Sequence, residues 1–209
     1  MHLKLPCDYN RVLSKCLGII GLMFLLAALY DNSWVLLQLL LVPLCNGKTP
    51  VLYDTECYGL HHNPQDVARA GLWEVCHYFP FGYIPEFYYH TDPYCSRFSD
   101  DEIPAEWLEE AQFLCQLAVA LNVVGMSVCG AADLLRSRDV GWTGSRILII
   151  SATCGFLGVA RFYTSISKSF LLPYKLNIVS MSAHWGMLYF LEGCVASLAA
   201  GLLQTRVKL

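Results

Sequence analysis

Four stretches of this chain run nearly free of charged residues, each for about the thickness of a lipid bilayer, and the polar residues gather between them. A membrane-spanning helix needs about 20 mostly apolar residues. The first candidate covers residues 12–30, with Lys15 close enough to its end to snorkel toward water. The second covers 107–135, the third 146–164 and the fourth 181–203. Lys4, Arg11 and Lys15 ahead of an apolar run also suit a secretory signal peptide. The run is long for one, however, and its end at Tyr30-Asp31-Asn32 lacks a small-residue cleavage pattern. The pattern therefore predicts a membrane all-α four-helix bundle.

Composition agrees. Residues are 56% hydrophobic and 15% charged, whereas soluble domains carry about 25% charged residues. Basic residues set the expected orientation, because loops rich in Lys and Arg stay on the cytoplasmic side. Lys4 and Arg11 lie in the 1–11 tail, Arg136 and Arg138 in the 136–145 loop, and Arg206 and Lys208 in the 204–209 tail. Both termini are expected inside, with 31–106 and 165–180 outside, as in a multi-pass plasma-membrane protein.

The long 31–106 loop carries eleven acids against three bases, a net charge of −8. An exposed surface of that sign gathers cations within about 8 Å at physiological salt, and it also simply keeps an outer domain solvated. Four of the ten cysteines, Cys45, Cys57, Cys76 and Cys95, lie here. In an oxidising compartment they pair, and four cysteines allow three connectivities. Cys45–Cys57 and Cys76–Cys95 close the most local loops. His61, His62, His77 and His90 share the segment, but no cysteine pair has C-x-x-C spacing, so no metal site is assigned. The run from Trp34 to Pro43 is too short to span a membrane. Its Val and Leu content and the Asn46-Gly47 turn predict a strand entering a hairpin. Val51–Tyr53, Leu72–Tyr78 and Phe87–His90 are further strand candidates, giving a small antiparallel sheet on the helix ends.

Trp34 after the first span, then Gly71-Leu72-Trp73 with Cys76, then Cys95, form a W…GLW-x-x-C…C arrangement. With Ile103-Pro104-Ala105-Glu106-Trp107 approaching the second span and His184-Trp185-Gly186 opening the fourth, the chain resembles the claudin superfamily of tetraspan proteins. That group includes claudins, the epithelial and peripheral myelin membrane proteins and the gamma-type channel auxiliary subunits. The resemblance implies a claudin-like fold in which Trp34 and the Gly71-Leu72-Trp73 turn anchor the sheet to the helix ends and Cys76–Cys95 staples it. The interval from Trp34 to Trp73 and that from Cys76 to Cys95 are longer than in claudins. Gln112 stands where the family has an arginine.

By this resemblance the expected function is a barrier or cation-preferring path at cell junctions. It would be built by side-by-side and head-on association with copies or related tetraspans, with Glu74 and Asp92 as candidate path residues. The alternative is an auxiliary subunit lying against a channel or receptor, which the enlarged loop favours. Gly193, Ser197 and Gly201 recur every four residues in the fourth span, suiting close packing inside the bundle. Glu192 is read as the one acid well inside a span, its expected partner Arg161 or His184. Cys7, Cys16 and Cys129 are candidate acylation sites, and Val207-Lys208-Leu209 has the form of a ligand for a PDZ scaffold. No nucleophile–base set, cofactor motif or nucleic-acid-binding basic patch is present in the sequence, so an enzyme is not expected.

Overall fold

The computed structural model describes residues 7–31, 33–39, 65–77, 94–97, 106–171 and 178–206. Four helices, α1 (Cys7–Leu29), α2 (Glu106–Leu135), α3 (Arg138–Leu171) and α4 (Trp185–Thr205), carry a sheet at one end. All four are long and apolar enough to cross a membrane, which fits a multi-pass membrane protein. The helices form a ring in which α1 neighbours α4, α4 neighbours α3, α3 neighbours α2 and α2 neighbours α1. The helices α2 and α4 therefore stand on a diagonal. No ten-residue loop separates α2 from α3. Arg136 takes a left-handed conformation at φ 49°, and Ser137 N–H donates to Ala132 O at 3.1 Å. This is the Schellman arrangement that ends one helix and lets another begin at once.

Apolar burial cannot hold helices together in lipid, so close packing and hydrogen bonds between helices do. Among the described residues, three of the four neighbouring pairs have such a bond from a serine inside the bundle. Ser14 Oγ donates to Ala200 O (2.8 Å), Ser145 Oγ to Gly201 O (2.7 Å), and Ser151 Oγ to Ala118 O (2.6 Å). Asn122 Nδ2 donates to Ser197 Oγ (2.5 Å), joining α2 to α4 through the bundle centre, and Ser197 Oγ donates in turn to Gly193 O (2.8 Å). The small residues of α4 are thus consumed by packing within the bundle. A Cβ on Gly193 would lie 2.8 Å from Leu25 Cγ and 2.9 Å from Gly21 O. Away from the sheet, Asp133 pairs with Arg11 (2.8 Å) and Lys15, tying α2 to α1.

Among the described residues the sheet has five strands: β1 (Val35–Leu39), β2 (Gln65–Ala70), β3 (Glu74–His77), β4 (Tyr94–Arg97) and β5 (Ile178–Ala183). Their order is β4-β3-β2-β1-β5, each neighbouring pair antiparallel. The strand expected within Trp34–Pro43 is present over Val35–Leu39 and that expected within Leu72–Tyr78 over Glu74–His77, and the other two candidates and the Asn46-Gly47 turn lie outside the described residues. The fourth span was expected from Met181, but Met181–Ala183 belong to β5 and the helix starts at Trp185. Val35 faces Ala183 on one side and Ala70 on the other, so the short segment before α4 completes the sheet begun after α1.

Gly193→Ala should lower the thermal midpoint in detergent, with a cost of about 1–3 kcal/mol expected for overpacking. Gly130→Ala should cause no loss, because a Cβ there meets nothing within 4 Å.

Candidate functional site

The last carbonyls of any α-helix have no partner within it and must find donors elsewhere. At the end of α1 two of the donors are indoles. Trp34 Nε1 donates to Ala28 O and Trp73 Nε1 to Leu29 O, each at 2.7 Å. Asp31 N–H reaches Ala28 O as well (3.2 Å), and the Asp31 carboxylate accepts from Ser33 N (2.8 Å) and Ser33 Oγ (2.5 Å), turning the chain into β1.

Trp34 is fully buried. Its ring meets Phe162 of α3 edge-on, with centroids 5.3 Å apart, and Phe190 of α4 at 5.1 Å. Its backbone N–H donates to Ala70 O of β2, and its carbonyl accepts from His184 N, each at 2.9 Å. One residue therefore touches three helices, strand β2 and His184, the residue between β5 and α4. Gly186 is required beside it, since a Cβ there would lie 2.8 Å from Trp34 Cδ1 and 3.0 Å from Ser33 O.

Gly71 and Leu72 are buried between β2 and β3, where Gly71 N–H donates to Glu74 O at 2.9 Å. Gln112 Nε2 donates to Leu72 O at 2.9 Å, binding this turn to α2. The tie through Gln112 is not evident from the chain alone, because nothing local marks which carbonyl it would find.

Cys76 and Cys95 face each other across β3 and β4 and form a disulfide. Glu74 Oε and the two sulfurs lie within 4.8 Å of one another. Disulfide sulfurs are not thiolates, and the thiolate is the metal-binding form. Asp92 and the proposed Cys45–Cys57 pair lie outside the described residues, so Glu74 is the one of the two candidate path residues that can be placed.

The expected Glu192–Arg161 or Glu192–His184 contact is not formed. Arg161 turns toward α2 and binds Glu110, with Nε and Nη2 each 2.7 Å from Oε2. Gly155 packs against Cys194, and Ser145 bonds to Gly201. From these levels Arg161 stands about 6–10 Å nearer the sheet than Glu192, at 1.5 Å per residue. Glu192 sits on the exposed face of α4. The acid that does pair between helices is Asp133, near the end of α2, and its partners Arg11 and Lys15 come from a distant segment that nothing local to Asp133 marks.

No family model matches the chain, and no curated protein matches it.

Trp73→Phe keeps an aromatic ring but leaves Leu29 O without its donor, at an expected cost of about 1–3 kcal/mol. Trp34→Phe should cost more, because it also opens space beside Phe162 and Phe190. Trp142→Phe, at the opposite end of the bundle, should leave the thermal midpoint nearly unchanged. Replacing both Cys76 and Cys95 by Ser should remove about 3 kcal/mol through loop entropy. Detergent unfolding curves of the four proteins check this ranking.

Proposed function

We propose that this protein is a claudin-like tetraspan of cell–cell contacts, with its sheet outside the cell and both termini in the cytoplasm. The observation that carries the proposal is the role of the motif residues. Trp34 and Trp73, which lie far apart in sequence, are both joints between the sheet and the end of α1, and Cys76–Cys95 locks the adjoining strands. These are the parts the resemblance assigns to those residues. The distribution of Lys and Arg supports the orientation.

A sheet bolted to its bundle can bear load across an intercellular gap without peeling from the membrane. The net charge of −8 on 31–106 then favours cations over anions in any path lined by that segment. Glu74, partly exposed at the start of β3, and Asp92 are the proposed contributors. The longer first loop and its second pair of cysteines, Cys45 and Cys57, which lie outside the W…GLW-x-x-C…C arrangement, support a second reading, an auxiliary subunit whose sheet lies against a channel's outer domain. Co-purification of one channel, without enrichment at contacts, would favour that reading.

Epithelial monolayers expressing the protein should concentrate it at contacts and show a changed electrical resistance with Na⁺ favoured over Cl⁻. Glu74→Gln and Asp92→Asn should reduce that bias. Unchanged resistance and no ion preference would overturn the junctional reading.

A further inference from the structure

Two polar side chains inside the apolar belt point away from the bundle and have no hydrogen bond or ion pair among the described residues: Glu192 of α4 and Gln116 of α2. Such groups are expensive in hydrocarbon and ordinarily meet a partner. Glu192 lies about 10 Å along α4 from Trp185, and its side chain is too short to reach either end. Ser14, Ser145, Ser151 and Asn122, by contrast, each make a hydrogen bond to another helix inside the bundle. These two do not.

Their depths coincide. Gly155 packs against both Cys194 and Ala118, which sets those residues level. Glu192 and Gln116 each lie two residues nearer the sheet. The Asn122–Ser197 bond gives an independent alignment, in which Gln116 is six residues above Asn122 and Glu192 five above Ser197. The two estimates agree to about 1.5 Å, one residue of helix. The helices α2 and α4 stand on a diagonal of the ring, so the two groups lie on opposite corners of the molecule.

All copies in one membrane share one topology and one depth. A second copy placed beside the first, its α2 against the first copy's α4, brings Gln116 level with Glu192 without tilting or sliding either molecule. We propose that the exposed face of α4 docks the α2 face of a second copy, with the Gln116 carboxamide donating to the Glu192 carboxyl. The contact uses two different faces, so it is heterologous and repeats into rows. Leu188 and Val195 flank Glu192, and Phe113 and Ala120 flank Gln116, supplying apolar surface around the polar centre. This deepens the side-by-side half of the reading above and does not require the head-on half.

The test is energy transfer between donor- and acceptor-labelled full-length copies reconstituted in phosphatidylcholine vesicles, titrated by dilution in lipid. Glu192→Leu and Gln116→Leu should each weaken self-association roughly three- to tenfold, the range of interhelical hydrogen bonds in membranes. The exchange variant E192Q/Q116E should restore it. In a second measurement, a mixture of E192C and Q116C copies should form oxidised dimers well above either variant alone, and E192C/Q116C should form a ladder. A symmetric Glu192–Glu192 contact would cross-link E192C with itself and ignore Gln116→Leu. A foreign helix as the natural occupant would leave all four proteins monomeric in vesicles. Either result overturns the proposal. Loss of association in vesicles alongside an intact ion bias in monolayers would sink this interface and leave the junctional reading standing.

Discussion

A helix that stops beneath a sheet leaves carbonyls facing the sheet's underside, away from water, and something must donate to them. In this protein two indoles, Trp34 and Trp73, meet that need at the end of α1. The solution has consequences beyond hydrogen bonding. An indole places its donor at the edge of a large apolar body, so satisfying Ala28 O also drives the Trp34 ring between Phe162 and Phe190. Polar satisfaction and core packing are then one event, and the sheet cannot shift against the bundle without losing both.

The sheet is built around this joint. Following Trp34, β1 takes partners on both edges, β2 from the same loop and β5 from the segment before α4. Gln112 fastens the β2–β3 turn to α2, and the disulfide extends the lock to β4. Deeper in the bundle the same rule operates on a smaller scale, with serines linking neighbouring helices and one asparagine linking the diagonal pair α2 and α4, while glycines allow close approach. A platform held at so many points suits a protein proposed to transmit contact from one membrane to another. Its lateral contacts would then fall to the outer helix faces.

The helices were legible because four long apolar runs leave little else for the chain to do in lipid. The first strand was legible from Val35, Leu36 and Leu37 following a Trp. The strand Gln65–Ala70 was not, since Gln, Asp, Ala and Arg carry little β preference, and its conformation is imposed by pairing between β1 and β3. Ile178–Ala183 was missed for the opposite reason. Its second half, Met181–Ala183, is apolar enough to merge with the span that follows, hydropathy does not distinguish an apolar strand from an apolar helix, and the first half reads as loop. The motif residues stood out as a pattern, yet their donors' targets did not, because Leu29 O and Leu72 O are backbone atoms with no mark in the sequence. The Glu192–Arg161 expectation failed on depth, which is a property of how helices slide past one another and not of either residue.

The most direct test of the central joint is deuterium exchange of the indole N–H groups, followed by nuclear magnetic resonance of ¹⁵N-tryptophan-labelled protein in micelles. The Trp34 and Trp73 indole protons should persist long after that of Trp142, which is exposed at the far end of the bundle. Exchange of all three at a common fast rate would mean that the end of α1 is not held by these side chains, and the account of the sheet's attachment would be wrong.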